Sequence, residues 1–424
     1  MAWSEKLKLN KQLTRTITEE GYLTPKDIQQ KSLSRIFGGQ DVIAIGPEGC
    51  GKTTTFILAV LNRLKHTSEG VPHVLILVPD KERVLAVIDQ FELLNKNKSV
   101  SIVGLYAAPG IESQMNALAD GADIVVATPD RARAIYLKLG LNLNKIELFI
   151  VDDAEQIVKQ GLQLPVAELA NSITKCQHLV FTEVMHDKLN KMIAPFMQSA
   201  AVVEVEEMGE SILTTHPQVL YHVPNFGTKL NLLNFFMQDE ELFTKTAVFV
   251  NTRQTAQKVY KSLQNRLKTA VELLTDPANF ESFKTSDKIR VLIIANENSE
   301  AIDLYGVPFL IHFELPTDKE TYINRIINNI PDTSEETLAI TFISDLELVM
   351  VKKIEQAIGQ KIPVAELPGE LIIEKDRQLI EPVEKKKVAE PVTGQAFHEK
   401  KASNLKTHNY SAGLKAKMNN KKKH

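Results

Sequence analysis

The stretch "DVIAIGPEGCGKTTTFILAVLNRL", Asp41 to Leu64, decides how the first half of the chain folds. It opens on a short uninterrupted apolar run, "DVIAI", which suits a strand buried on both faces, and closes on an apolar stretch of helical length, "TTFILAVLNRL". Between them "GPEGCGKT" satisfies the pattern G-x-x-x-x-G-K-S/T in the strand-then-helix setting that gives the pattern its meaning. Gly46, Gly49 and Gly51 let the backbone curl until its N–H groups face a polyphosphate at the start of the helix. Lys52 is then expected to meet the β- and γ-phosphates and the Thr53 hydroxyl to ligate Mg2+, with Thr54 in the same cradle.

Outward from this stretch the same alternation repeats. "VLILV", "DIVVA", "LFIV" and "HLVF" follow in the first half, and "TAVFV", "RVLII", "FLIHF" and "LAITF" in the second, each succeeded by an amphipathic segment of helical length. Runs rich in Val, Ile and Phe that alternate with helices imply parallel sheets, so both halves are expected to be α/β. An acidic connection, "VEVEEMGESILTTHPQ", carries Gly209 and Pro217 and marks a boundary. The expected division is a first domain over 1–208, a second over 209–368 and a tail over 369–424. A chain of 424 residues is long enough for this arrangement.

The net charge of -3 conceals an asymmetry. From Lys385 to His424 there are 11 lysines against Glu390 and Glu399, a surplus of nine, so the preceding 384 residues hold about -12. The tail is too polar to offset its ordering entropy and is expected to be disordered when free. Cys50 and Cys176 are too few for a disulfide framework and suit a reducing compartment. The opening "MAWSEKLKLN" has no apolar core of the signal-peptide kind, and no run approaches the ~18 apolar residues of a membrane span. A cytoplasmic location with no membrane partner is expected.

The order of further motifs resembles that of the DEAD-box RNA helicases, over roughly residues 1 to 368. "GYLTPKDIQ" resembles the Q motif of that family, with Gly21, Tyr22, Pro25, Ile28 and Gln29 in place, and Lys26 and Asp27 where Thr and Pro are usual. A glutamine amide can pair with both N6 and N7 of adenine, so Gln29 is expected to choose ATP over GTP. "VPDKERVLA" resembles the PTRELA motif, keeping Pro79 and Glu82 with Lys81 for arginine, and "ATPDRAR" resembles TPGR, keeping Thr128, Pro129 and Arg131 with Asp130 for glycine. The glycine pair usual between them is missing from "GLYAAPG". In the second half "FVNTRQTAQKV" offers Asn251, Thr252 and Arg253, and "PFLIHFELPTDKETYINRI" follows the approach to motif VI.

The resemblance implies two tandem RecA-like domains that bind ATP with Mg2+, and an RNA partner gripped by its sugar-phosphate backbone without regard to sequence, whether single-stranded or a short duplex. Pro79, Thr128, Pro129, Arg131 and Arg253 are the residues it assigns to RNA. Asp152 is assigned to the metal together with Thr53, and Asp152, Asp153 and Arg325 to catalysis. A monomer, with possible ribonucleoprotein partners, is the expected form.

Several motifs depart from the family pattern. D-E-A-D reads Asp152, Asp153, Ala154, Glu155. Asp153 draws its carboxylate back by about an ångström relative to glutamate, a misplacement that can cost ~10²-fold in rate, while Glu155 reaches too far. S-A-T reads Thr182, Glu183, Val184, and in motif V Ala295, Asn296 and Glu300 replace Thr, Asp and Arg, although Asp303 is kept. In motif VI Arg325 persists, but the two later arginines fall on Asn328 and Pro331. An arginine at a phosphoryl-transfer transition state is worth roughly 10³ to 10⁵ in rate. The expectation is an ATP- and RNA-binding protein with weak or absent hydrolysis and unwinding. An active ATP-dependent RNA helicase and a protein-interaction scaffold with a vestigial nucleotide site are the alternatives.

Overall fold

Successive residues of the strand Val42–Ile45 feed two different cores. Val42 and Ala44 pack on one side of the sheet and Ile43 and Ile45 on the other, which is why the run is apolar without alternation. The computed structural model describes residues 9–64, 70–97, 99–108, 110–206, 212–267, 270–275, 277–286, 288–298, 304–327 and 337–374. In chain order the first-lobe strands are β1 Val42–Ile45, β2 Val74–Leu77, β3 Ile102–Leu105, β4 Ile124–Ala127, β5 Leu148–Val151, β6 Gln177–Thr182 and β7 Ala201–Glu204. The second lobe has β8 Gln218–His222, β9 Thr246–Val250, β10 Val271–Leu273, β11 Val291–Ala295, β12 Phe309–His312, β13 Leu338–Ile343 and β14 Val364–Ala365.

These form two seven-stranded sheets, in the orders β3-β4-β2-β5-β6-β1-β7 and β10-β11-β9-β12-β13-β8-β14. Every pairing between these strands is parallel. Helices connect them, as parallel pairing requires. The α/β class and the pair of parallel sheets expected from the sequence are both present. In the second lobe Ala247 and Phe249 of β9 enter one core and Val248 and Val250 the other.

The helix Lys52–Arg63 is buried nearly all round, through Phe56, Ile57, Leu58, Ala59 and Val60, so its start is held rigidly against the sheet. Phe56 meets Phe181 of β6 with ring centroids 5.4 Å apart. Because the order places β1 between β6 and β7, the loop after β1 opens beside the ends of β6 and β5. Ligands of open α/β sheets bind outside these carboxyl ends.

The expected boundary at 208/209 lies outside the described residues, as does the tail from 375. The segment 369–374, assigned to the tail by composition, is instead tied to the second lobe. Asn225 Nδ2 donates to Glu374 O at 2.7 Å, Asn231 Nδ2 to Ile372 O at 2.8 Å, and Glu374 N to Thr228 Oγ1 at 3.1 Å.

Candidate nucleotide site and RNA-facing edge

Gly49 and Gly51 adopt φ of 80° and 100°, the left-handed region that a side chain disfavours, and the loop turns there. Gly46 N donates to Thr182 O at 3.0 Å, anchoring the loop to the end of β6. Lys52 is buried and its Nζ donates to the carbonyls of Gly46 at 2.7 Å and Pro47 at 2.8 Å, so the ammonium is held inside the curl. Gln29 packs against the same turn: a Cβ added to Gly51 would lie 3.0 Å from its Nε2. Its Oε1 accepts from Lys26 N at 2.9 Å, and Lys26 Nζ donates to Gly49 O. The structure therefore brings Gln29, Gly46, Gly49, Gly51, Lys52, Thr53 and the buried Thr54 into one cradle.

Asp152 follows β5 and is completely buried. Asp153 has φ 48° and ψ 48°, an uncommon conformation for a residue with a side chain, of the strained kind that clusters at functional sites. Both carboxylates converge on Arg83, in the first turn of the helix Lys81–Leu94. Arg83 Nη2 lies 2.7 Å from Asp152 Oδ2 and 2.7 Å from Thr53 Oγ1, and Nε lies 2.8 Å from Asp153 Oδ2. Burial, and then the charge of Asp153, push Asp152 up to about 7 in spite of Arg83 and Lys52. Burial works against the Arg83 guanidinium, but the two aspartates outweigh it and its pKa is raised.

This arrangement does not fit the expected Mg2+. That ion needs oxygen ligands near 2.0–2.1 Å in an octahedron. Here Thr53 Oγ1 and Asp152 Oδ2, on the two residues assigned to it, both accept from one guanidinium nitrogen, which leaves only Asp152 Oδ1, buried and with no hydrogen-bond partner among the described residues. The sequence reading missed Arg83. The signal was available, because Arg83 stands where the quoted PTRELA motif has its leucine.

Glu155 does not project past the site as its length suggested. Its Oε2 accepts from Thr182 Oγ1 at 2.6 Å and from Glu183 N at 3.2 Å, joining the D-E-A-D segment to the next motif. Burial raises its pKa, with the Thr182 hydrogen bond opposing. Val184 is buried and contributes packing.

The residues assigned to RNA in the first lobe share one edge. Pro79 follows β2, and Thr128 and Pro129 follow β4 and start the helix Pro129–Leu137. Arg131 Nη2 donates to Ala107 O beyond the end of β3. Since β3, β4, β2 and β5 are successive neighbours, these residues line up toward Asp152. Asp130 is exposed on that edge. Arg253 belongs to the other lobe, just after β9, where it is exposed and its N–H bonds Glu297 Oε2 at 3.2 Å.

Arg325 is turned into the second lobe. Its guanidinium stacks 3.9 Å from the centre of the Phe249 ring, and Nη2 donates to Asn296 Oδ1 at 2.8 Å. Burial holds its pKa down at about 10. These contacts do not bring it to the phosphate loop. Another cation of this lobe does reach it: Lys353 Nζ lies 2.8 Å from Glu48 Oε2, beside a cavity of about 640 Å³ lined by Gly49, Thr317 and Asp318 among others. Asn328, Pro331, Glu300 and Asp303 lie outside the described residues.

Residues 26–192 match the DEAD/DEAH box helicase family. In that segment, and in the relatives that follow, the chain is similar to the DEAD-box RNA helicases. Among its curated relatives, the ATP-dependent RNA helicase DeaD of Buchnera aphidicola subsp. Schizaphis graminum is 26% identical over 371 residues, covering 85% of this chain and 60% of the relative. The RNA helicase CrhR of Synechocystis is 25% identical over 377 residues, covering 88% of this chain and 76% of CrhR. The chain thus spans about three-fifths of the length of that DeaD relative. The crystal structure of the yeast DEAD-box splicing factor Prp28 is 21% identical, with 85% of this chain and 88% of that one covered and a TM-score of 0.50, a likeness of fold. The two parallel sheets accordingly have the fold of tandem RecA-like lobes. Among the described residues no helix is long and apolar enough to cross a membrane.

Proposed function

We propose that this chain binds ATP and RNA and hydrolyses ATP slowly or not at all, so that it holds RNA rather than unwinding it. The carrying observation is the contrast between a cradle assembled from Gln29, the phosphate loop and Lys52, and the inward-facing Arg325, the remaining arginine of motif VI. Asn328 and Pro331 cannot supply the positive charge of the two arginines they replace. The edge formed by Pro79, Thr128, Pro129 and Arg131 suits backbone recognition of RNA without sequence preference, and Arg253 extends it. The lobes are divided near residue 208, and the protein acts as a monomer in the cytoplasm. Cys50 and Cys176 are not joined in a disulfide, which agrees with a reducing compartment.

The test is single-turnover ATP cleavage with saturating single-stranded RNA, paired with filter binding of the same RNA. Retention of RNA with cleavage far below 1 s⁻¹ is the expected outcome. Turnover at the ordinary enzyme scale of about 1 s⁻¹ or faster would make the protein an active helicase. Loss of RNA retention at low salt would leave only a scaffold.

A further inference from the structure

Arg83 reaches three elements at once. Its backbone N–H is fixed by Asp80 Oδ1 at 2.8 Å, which caps the helix Lys81–Leu94 and sets the direction in which the side chain leaves. From there the guanidinium touches Thr53 at the start of the phosphate-loop helix, Asp152 at the end of β5 and Asp153 in the strained turn, at 2.7, 2.7 and 2.8 Å. Only Nη1 is not engaged by these three groups. Asp152 is wholly buried, and an ionised carboxylate left unpaired there would be strongly destabilising, so a cation at this point is what lets it stay charged.

A planar guanidinium makes several directed N–H bonds at once, which a hydrated lysine head does less well. The hydroxyl and carboxylate it bonds are those that the sequence assigns to a divalent metal. We propose that Arg83 is the resident cation of this site, taking the place of the divalent metal, so that nucleoside triphosphate is held without Mg2+. Nη1 is then directed at a phosphate oxygen, and Arg83 and Lys52 supply two fixed positive charges to the polyphosphate. The nucleotide part of this statement rests on the ATP-binding reading above.

Two measurements on the full chain separate the two ideas. The first is calorimetric titration with ATP in EDTA and in Mg2+. The wild type is expected to bind ATP at least as tightly in EDTA as in Mg2+, because a complex that takes up no metal must release the Mg2+ that ATP carries in solution. Arg83→Leu is expected to bind at least tenfold more weakly in EDTA than in Mg2+. A wild-type affinity that falls tenfold or more in EDTA overturns the proposal.

The second is thermal unfolding without nucleotide, with and without Mn2+. The wild-type midpoint is expected not to move, whereas Arg83→Leu melts lower and is raised again by Mn2+, which takes up Thr53 and Asp152. A wild-type midpoint raised by Mn2+ as much as that of the variant overturns the resident cation. If ATP binds in neither medium but Mn2+ rescues Arg83→Leu alone, the resident cation stands and the ATP-binding reading fails. Should Arg83→Leu not fold, Arg83→Lys is used in both experiments. It keeps the charge while losing the fork, and is expected to be raised measurably by Mn2+ where the wild type is not; a profile identical to the wild type in every medium would also overturn a role that depends on the guanidinium.

Discussion

In the first lobe the charged groups at the strand ends converge on the loop after β1, with Lys52 inside its curl and Arg83, Asp152 and Asp153 beside it. In the second lobe several polar groups instead bond within the lobe, although Arg325 Nη1 is buried with no hydrogen-bond partner among the described residues. Asn296 Nδ2 donates to Asn251 Oδ1 at 2.7 Å, Asn251 Nδ2 to Leu315 O at 2.8 Å, and Lys229 Nζ to Glu347 Oε2 at 2.6 Å, while Arg325 lies over Phe249. The sheets have the same parallel architecture, so the difference lies in the side chains at their edges. Fold and chemistry part company here, as sites grafted on a common scaffold can.

The largest expected effect comes from rebuilding the missing chemistry. Arginine charge and water positioning act on the same transition state, so partial repairs should gain little. The variant Asp153→Glu, Asn328→Arg, Pro331→Arg still has Arg83 on Thr53 and Asp152 and is expected to raise single-turnover ATP cleavage less than about tenfold. Adding Arg83→Leu should bring the gain to about 10³-fold, the lower end of an arginine's worth at such a transition state. Equal rates for the two variants would remove Arg83 as an obstacle. No gain in either would mean that the second lobe has lost more than two arginines.

A smaller pair of effects should cross over between the lobes. Lys52→Ala removes a charge-assisted phosphate contact and is expected to weaken ATP binding by about 10- to 100-fold, read by calorimetry. Arg325→Met should leave ATP affinity unchanged. In place of a loss of stability, its urea midpoint is expected to stay or to rise by the equivalent of up to about 2 kcal/mol, because burial depresses the Arg325 pKa and an apolar side chain of similar volume avoids that desolvation. A loss above about 1 kcal/mol would show that stacking on Phe249 and the bond to Asn296 outweigh desolvation.

How much of this was legible in the sequence follows from where each element sits. The strands read as apolar runs, such as "VLILV" and "TAVFV", are interior strands buried on both faces. Those not read are β3, β7, β8, β10 and β14, all at a sheet edge or next to one. Along β7 only Val203 is buried, and β14 has two residues, so neither carries a run that burial would make apolar. The cradle was legible because its spacing is local. The Arg83 cluster joins residues 30 and 69 positions apart, and only the fold brings them together. A motif comparison that scores an arginine merely as a replaced leucine misses what the guanidinium reaches.

The smallest expected effect tests whether the lobes are as separate in function as they are in side-chain direction. Lys353 of the helix Leu348–Ile358 pairs with Glu48 in the phosphate loop, and its hydrogen bond and charge lower the Glu48 pKa. Glu48 therefore stays ionised near the place expected for a polyphosphate, with Lys353 offsetting its repulsion. The pair is well exposed, and such pairs contribute about 0–1 kcal/mol. Lys353→Ala is accordingly expected to weaken ATP binding by no more than about threefold at low salt. The effect should vanish toward 1 M salt, where the Debye length falls to about 3 Å. Titration at the two salt concentrations checks this. A tenfold loss that persists at high salt would make the second lobe a direct part of the nucleotide site, and the contrast between the lobes would no longer hold.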